Sequence, residues 1–189
     1  GAAIHGLADL GEALESARGR AHARARAAAA SARFRRLLLD LCAFVETGDW
    51  VETLEEGGGD GLDFAAKALG QRRRKLARQG RNLVELDDAA RHKVRIQAKK
   101  LRYAAEGFRP LLKDKSARRL IKQVRKLQSA LGSLNDGAVA EALLTRLKLE
   151  GPALYAAGHL AGELASRRGP GLAAAEAAFE KILKISDPW

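Results

Sequence analysis

Methionine is absent from the 189 residues and cysteine occurs once, as Cys42. One thiol excludes an intrachain disulfide and any site built from clustered thiolates, and it suits a reducing compartment, so a cytoplasmic location is expected. Aromatics are few, five Phe, two Tyr and two Trp. Strands favour aromatic and β-branched residues, and the wealth of Ala, Leu and Arg here favours helix. No apolar run reaches the roughly 18 to 20 residues that a spanning helix needs, and no basic-then-apolar export signal opens the chain. A soluble protein without a membrane partner is expected. The start Gly1-Ala2-Ala3 reads as a processing boundary, with part of a longer chain preceding it.

Signatures of catalysis are missing too. Gly57-Gly58-Gly59 has no following Gly-Lys-Ser/Thr, and no serine or cysteine elbow is present. Phosphoryl transfer or hydrolysis would need a nucleophile or a metal. Glu52, Glu55 and Glu56 have no diagnostic ligand spacing, so an acidic, glycine-rich loop near residues 52–62 is the better reading. Neither enzymatic activity, a metal nor a cofactor is expected.

What is abundant is positive charge: 34 Lys/Arg against 23 Asp/Glu, a net +11. It is segregated. Residues 67–126 hold 21 Lys/Arg and five Asp/Glu; residues 18–36 hold seven arginines and no acid; residues 40–63 hold eight acids and no base. Such segregation points to a built electrostatic surface and an anionic partner.

Apolar periodicity predicts about eight helices in one all-α domain over 1–189, an antiparallel bundle. Helix is expected over 7–30, and from a Ser31 cap over 32–48 with Phe34, Leu37, Leu38, Leu41 and Val45 on its apolar face. Asp63 is the expected cap of a helix to about 84, with Ala65, Leu69, Leu76 and Leu83 inward, and Asp87 or Asp88 starts another that ends near Pro110. A helix over 114–131 carries Leu120, Val124, Leu127 and Leu131, and Gly132-Ser133 is expected to break it. Asn135 or Asp136 then caps a helix to about 149. Gly151-Pro152 and Gly169-Pro170-Gly171 separate two more, over 153–167 and to Ile185.

The segment from Arg91 to Glu106 carries the chemistry. At 100° per residue, His92, Arg95, Lys99, Arg102 and Glu106 fall within about 80° of one another, a stripe about 21 Å long. Val94, Ala98, Leu101, Ala104, Ala105 and Phe108 take the adjoining face as core. Lys67, Gln71, Arg74, Arg78 and Arg81 repeat the device at offsets of 4, 7, 11 and 14, and Lys115, Arg118, Lys122 and Arg125 do so at 3, 7 and 10. Stripes facing a common groove would crowd like charges, and a dense anion would relieve them. The arginine fork and the lysine point charge suit phosphoryl oxygens.

Among cations His92 is expected to lean neutral, and a bound polyanion would favour its charged form. Glu106, the one acid of the stripe, is expected to orient Arg102 or a cation from a neighbouring helix. Asn135 and Asp136 read as caps, or Asp136 reaches a stripe arginine. Arg18, His22 and Arg26, with Arg33 and Arg36, suit either a further wall of the groove or a solvated face.

His92-Lys93-Val94-Arg95, Lys99-Lys100-Leu101-Arg102-Tyr103-Ala104-Ala105-Glu106 and Leu127-Gln128-Ser129-Ala130-Leu131-Gly132-Ser133-Leu134-Asn135-Asp136 resemble the CHAD family, the conserved histidine α-helical domain. Arg33-Phe34-Arg35-Arg36-Leu37-Leu38-Leu39 and Ser186-Asp187-Pro188-Trp189 are also similar to it. The resemblance implies two related helical halves around a basic cavity that binds inorganic polyphosphate and can direct proteins to polyphosphate granules. On it, His92, Arg95, Lys99 and Arg102 match the second basic helix. Residues 1–62 lack a matching His-and-Arg helix, so the chain resembles the later two-thirds of the domain.

The expected ligand set is His92, Arg95, Lys99, Arg102, Lys67, Arg74, Arg78, Arg81, Lys122 and Arg125, supported by Glu106 and Asp136. Two rivals share the electrostatics. Nucleic-acid binding normally wants stacking aromatics, and only Tyr103, itself expected at the core edge, borders the stripe. An accessory domain of a metal-dependent phosphohydrolase is the other.

Overall fold

The computed structural model describes residues 4–49 and 59–189. Among them are six α-helices: α1 (Leu7–Ala29), α2 (Ala32–Thr47), α3 (Gly61–Gln79), α4 (Asp88–Gly107), α5 (Asp114–Arg146) and α6 (Gly151–Lys184). A 3-10 turn, Arg109–Leu111, follows α4, and no strand occurs among the described residues. The chain forms two compact units, Gly1–Gly59 with Leu147–Gly158, and Asp60–Arg146 with His159–Trp189.

The helix starts follow local chemistry. Ser31 caps α2 by accepting from the Phe34 amide at 3.2 Å, and Asp87 caps α4 through the Ala90 amide at 2.6 Å. The cap of α3 is Asp60, which accepts from the Leu62 amide at 2.8 Å, so Asp63 lies in the first turn and Gly61 is helical rather than loop. The expected loop residues Glu52, Glu55, Glu56, Gly57 and Gly58 lie outside the described residues.

Among the described residues six helices stand where eight were expected, because two breaks do not occur. Helix α5 runs through Gly132-Ser133 and Asn135-Asp136, and α6 runs through Gly169-Pro170-Gly171. The reason is packing across the breaks: Leu131 and Gly132 are buried, Leu134 beyond them is half-buried, and Gly171 packs beside Leu134, whose Cδ2 would lie 3.0 Å from an added Cβ. A glycine inside a helix costs only about 1 kcal/mol, and a proline about 3, which tertiary packing along two long helices offsets. In the opposite sense, α3 stops at Gln79 instead of 84. Gly80 caps it where a Cβ would collide with the Phe179 ring, and Asn82 turns the chain at φ 54°.

In the first unit, α1 and α2 expose most of their side chains, while Leu10, Ala153, Ala156 and Ala157 are buried. The periodic apolar face of α2 is real, but Phe34, Leu37, Leu38, Leu41 and Val45 are exposed rather than core. Arg18 pairs with Glu15 and Arg36 with Asp40, at the surface.

The second unit holds the main core. Leu69, Leu76 and Leu83 meet Val94, Ala98 and Leu101 of α4, Leu120, Val124, Leu127 and Leu131 of α5, and Ala175, Phe179 and Ile182 of α6. Neighbouring helices run antiparallel. His92 meets Asn135 while Glu106 meets Arg125, so α5 descends as α4 rises; Arg73 meets Ile182 and Leu183 while Gly80 meets Phe179, which sets α6 against α3 the same way. The half-buried Arg73 donates to the carbonyls of Ile182, Leu183 and Ile185 and pairs with Asp187, satisfying the open end of α6.

Candidate anion-binding site

The stripe of α4 sits where helix geometry put it, beside the core face, and the structure shows what it faces. One edge of α4 meets α3, where Phe108 and Phe64 pack edge to face at 5.8 Å. The opposite edge carries His92, Arg95, Lys99, Arg102 and Glu106 and lies along α5.

Contacts run the length of this seam. At its head His92 Nδ1–H donates to Asn135 Oδ1 at 2.9 Å, an oxygen that can only accept, which leaves Nε2 on the exposed imidazole turned to other partners. A turn further, the half-buried Arg95 lies over Gly132; a Cβ there would stand 3.6 Å from Nε and 3.7 Å from Nη2. Lys99 is exposed. Arg102 is half-buried, its guanidinium 4.5 Å from the centre of the Tyr103 ring, and Nη1 lies 3.5 Å from Glu106 Oε1. The same Oε1 accepts from Arg125 Nη2 at 2.8 Å. Glu106 therefore holds both the cation of its own helix and one from the next.

The second unit has four arginines that are not exposed: Arg73, Arg91, Arg95 and Arg102. Arg91 donates to the carbonyls of Leu86 and Val84 and pairs with Asp88 at 2.7 Å. Arg73 and Arg102 are paired as described. Arg95 makes no hydrogen bond or ion pair among the described residues, and its Nε is buried without an acceptor. A partly desolvated guanidinium without a carboxylate is costly unless an anion arrives to compensate it.

Sequence reasoning missed part of this wall. Asn135 is no cap; it lies inside α5 as the partner of His92, and it shares a face with Arg125, Gln128 and Gly132 at offsets of 3, 7 and 10. Gln128 Nε2 is likewise buried without a partner among the described residues. The offsets were visible, but a break at Gly132 hid them. Asp136, one position on, is exposed and makes no bond to a stripe arginine among the described residues. Tyr103 is exposed rather than at the core edge.

The expected common groove of three stripes is not formed. Arg74, Arg78 and Arg81 line a separate groove together with Glu176, Phe179 and Glu180 of α6. The cause is packing order: α3 presents its basic edge to α6, while α4 presents its own to α5. Lys67 and Lys122 are exposed on α3 and α5. Helix α4 is anchored by Asp88, which also pairs with Arg168 at 3.0 Å; the Arg91 hydrogen bond, aided by the charges of Arg168 and Arg91, holds its carboxyl below the ordinary aspartate range. Among the described residues no group of three His, Cys, Asp or Glu is placed to hold a metal, and no helix is long and apolar enough to cross a membrane.

Comparison with known proteins matches residues 1–145 to a family model described as the CHAD domain. The match takes in the whole α4–α5 seam except the last residue of α5; residues 146–189, with Ser186-Asp187-Pro188-Trp189, lie beyond it. No curated protein and no solved structure matches the chain.

Proposed function

The chain belongs to the CHAD domain family, and on that premise we propose that it is a non-catalytic module that binds inorganic polyphosphate along the α4–α5 seam. His92, Arg95, Lys99, Arg102 and Arg125 supply the donors. Lys67, Lys122 and the groove of Arg74, Arg78 and Arg81 add to the field that draws the polyanion in. Arg95 carries the reading: its guanidinium is half-buried, without a partner among the described residues, and flanked along the helix by His92 and Lys99. Its location at polyphosphate granules would follow from such binding.

A titration tests it, with long-chain polyphosphate, single-stranded DNA and orthophosphate at equal phosphate concentration and at two salt concentrations. Many weak contacts on one tethered anion act intramolecularly after the first, so the long chain binds far more tightly per phosphate than orthophosphate. Counterion release makes that affinity fall steeply with salt. Equal affinity for both phosphates, a flat salt response, or preference for DNA would overturn the proposal.

A further inference from the structure

The seam is not uniform along its length. Arg95 and Lys99 make no ion pair among the described residues, whereas Arg102 and Arg125 are already occupied by one carboxylate oxygen, Glu106 Oε1, at 3.5 and 2.8 Å. That carboxylate is covalently tethered and only partly exposed, with 30% of its side-chain surface open. It presents a negative charge where the next phosphates of a bound chain would lie, beside Arg102, whose backbone is about 10 Å along α4 from that of Arg95 at ~1.5 Å per residue.

We propose that Glu106 is a built-in competing anion. It fills the Arg102–Arg125 half of the seam when no chain is bound, and a polyphosphate must displace it to bind fully. This rests on the reading of the seam as a polyphosphate site. The physical consequence is selection by tethering. A free small anion such as orthophosphate competes against an intramolecular carboxylate, whose effective concentration is of millimolar order or higher, and is kept out of that half. A chain anchored at Arg95 and Lys99 offers its next phosphates intramolecularly as well, and several successive phosphates then act on Arg102 and Arg125 where a single carboxylate stood.

This role and a positioning role predict opposite signs. If Glu106 only holds the two arginines in place for the ligand, removing it weakens binding. If it competes, removing it strengthens binding. The experiment titrates the full chain and its Glu106→Gln and Glu106→Ala variants with long-chain polyphosphate, first in phosphate-free buffer and then with increasing orthophosphate. Melting temperatures check that each variant is folded.

The expected result is that both variants bind the long chain roughly five-fold tighter in phosphate-free buffer, the scale of one or two partly exposed ion pairs. Added orthophosphate then erodes their affinity more than that of wild type. Weaker binding by both folded variants, with glutamine closer to wild type than alanine, would make Glu106 a positioning residue and overturn the inference. Unchanged affinity with unchanged sensitivity to orthophosphate would overturn it too. Absence of binding in wild type and variants alike would strike down the underlying reading of the seam, a result readily told apart from the other two.

Discussion

Replacing Arg95 with methionine separates a ligand-binding cation from a structural one. Methionine keeps an unbranched stem over Gly132 and deletes only the charge and its donors. A hydrogen bond to a charged group contributes about 1.5–3 kcal/mol, and each 1.4 kcal/mol is a factor of ten. Because Arg95 is half-exposed and salt screens it, the expectation is the lower end, about a tenfold loss of polyphosphate affinity. Stability should change by no more than about 0.5 kcal/mol, and in either direction, since no bond among the described residues is lost and an unpaired charge is removed.

Arg91→Met is the control on the same helix. It strips the carbonyls of Val84 and Leu86 of their donor and takes one of the two arginines from Asp88, a cost of about 3 kcal/mol. Affinity per folded molecule should hardly move. Calorimetric titration and thermal melts measure both quantities. Should Arg95→Met lower the melting temperature as far as Arg91→Met while binding is unaffected, the stripe is structural and the argument from the unpaired guanidinium fails.

Polyphosphate binding should weaken in His92→Ala, which removes the imidazole at the head of the seam; unchanged affinity would place His92 outside the site. Asp88 predicts an acid limit to stability. Its folded carboxyl is held below its ordinary range, so its contribution is present above the unfolded value of about 3.9 and is lost as pH falls through the folded one. Asp88→Asn should therefore be less stable than wild type at neutral pH, with the gap closing in acid; a gap constant with pH in denaturant melts would refute the ion-pair assignment. Gly132→Ala should raise stability by about 0.5–1 kcal/mol, since the added Cβ meets Arg95 only at ordinary contact distance and a helix-interior glycine is replaced; a lower melting temperature would mean that Arg95 needs the bare backbone.

Periodicity along a single helix is a local property, and what depends on it was readable from the residues alone. The all-helical class, the Asp87 cap, the inward faces of α3, α4 and α5, and the edge shared by His92, Arg95, Lys99, Arg102 and Glu106 all follow from 3.6 residues per turn. The family resemblance rested on the same residues. Tertiary structure decided what local rules cannot. The contact of Gly171 with Leu134 and the packing of both helices carried α5 past Gly132 and α6 past Pro170, because packing energy gathered over two long helices exceeds the penalty of one glycine or proline. The antiparallel register of α5 then chose Asn135 instead of Asp136 to face His92, and it brought Arg125 to Glu106. The order in which helices pack turned the arginines of α3 towards Glu176 and Glu180, away from the α4 stripe. Which cation of a stripe stays unpaired depends on the acids that distant segments bring beside it, and for Arg95 no described segment brings one.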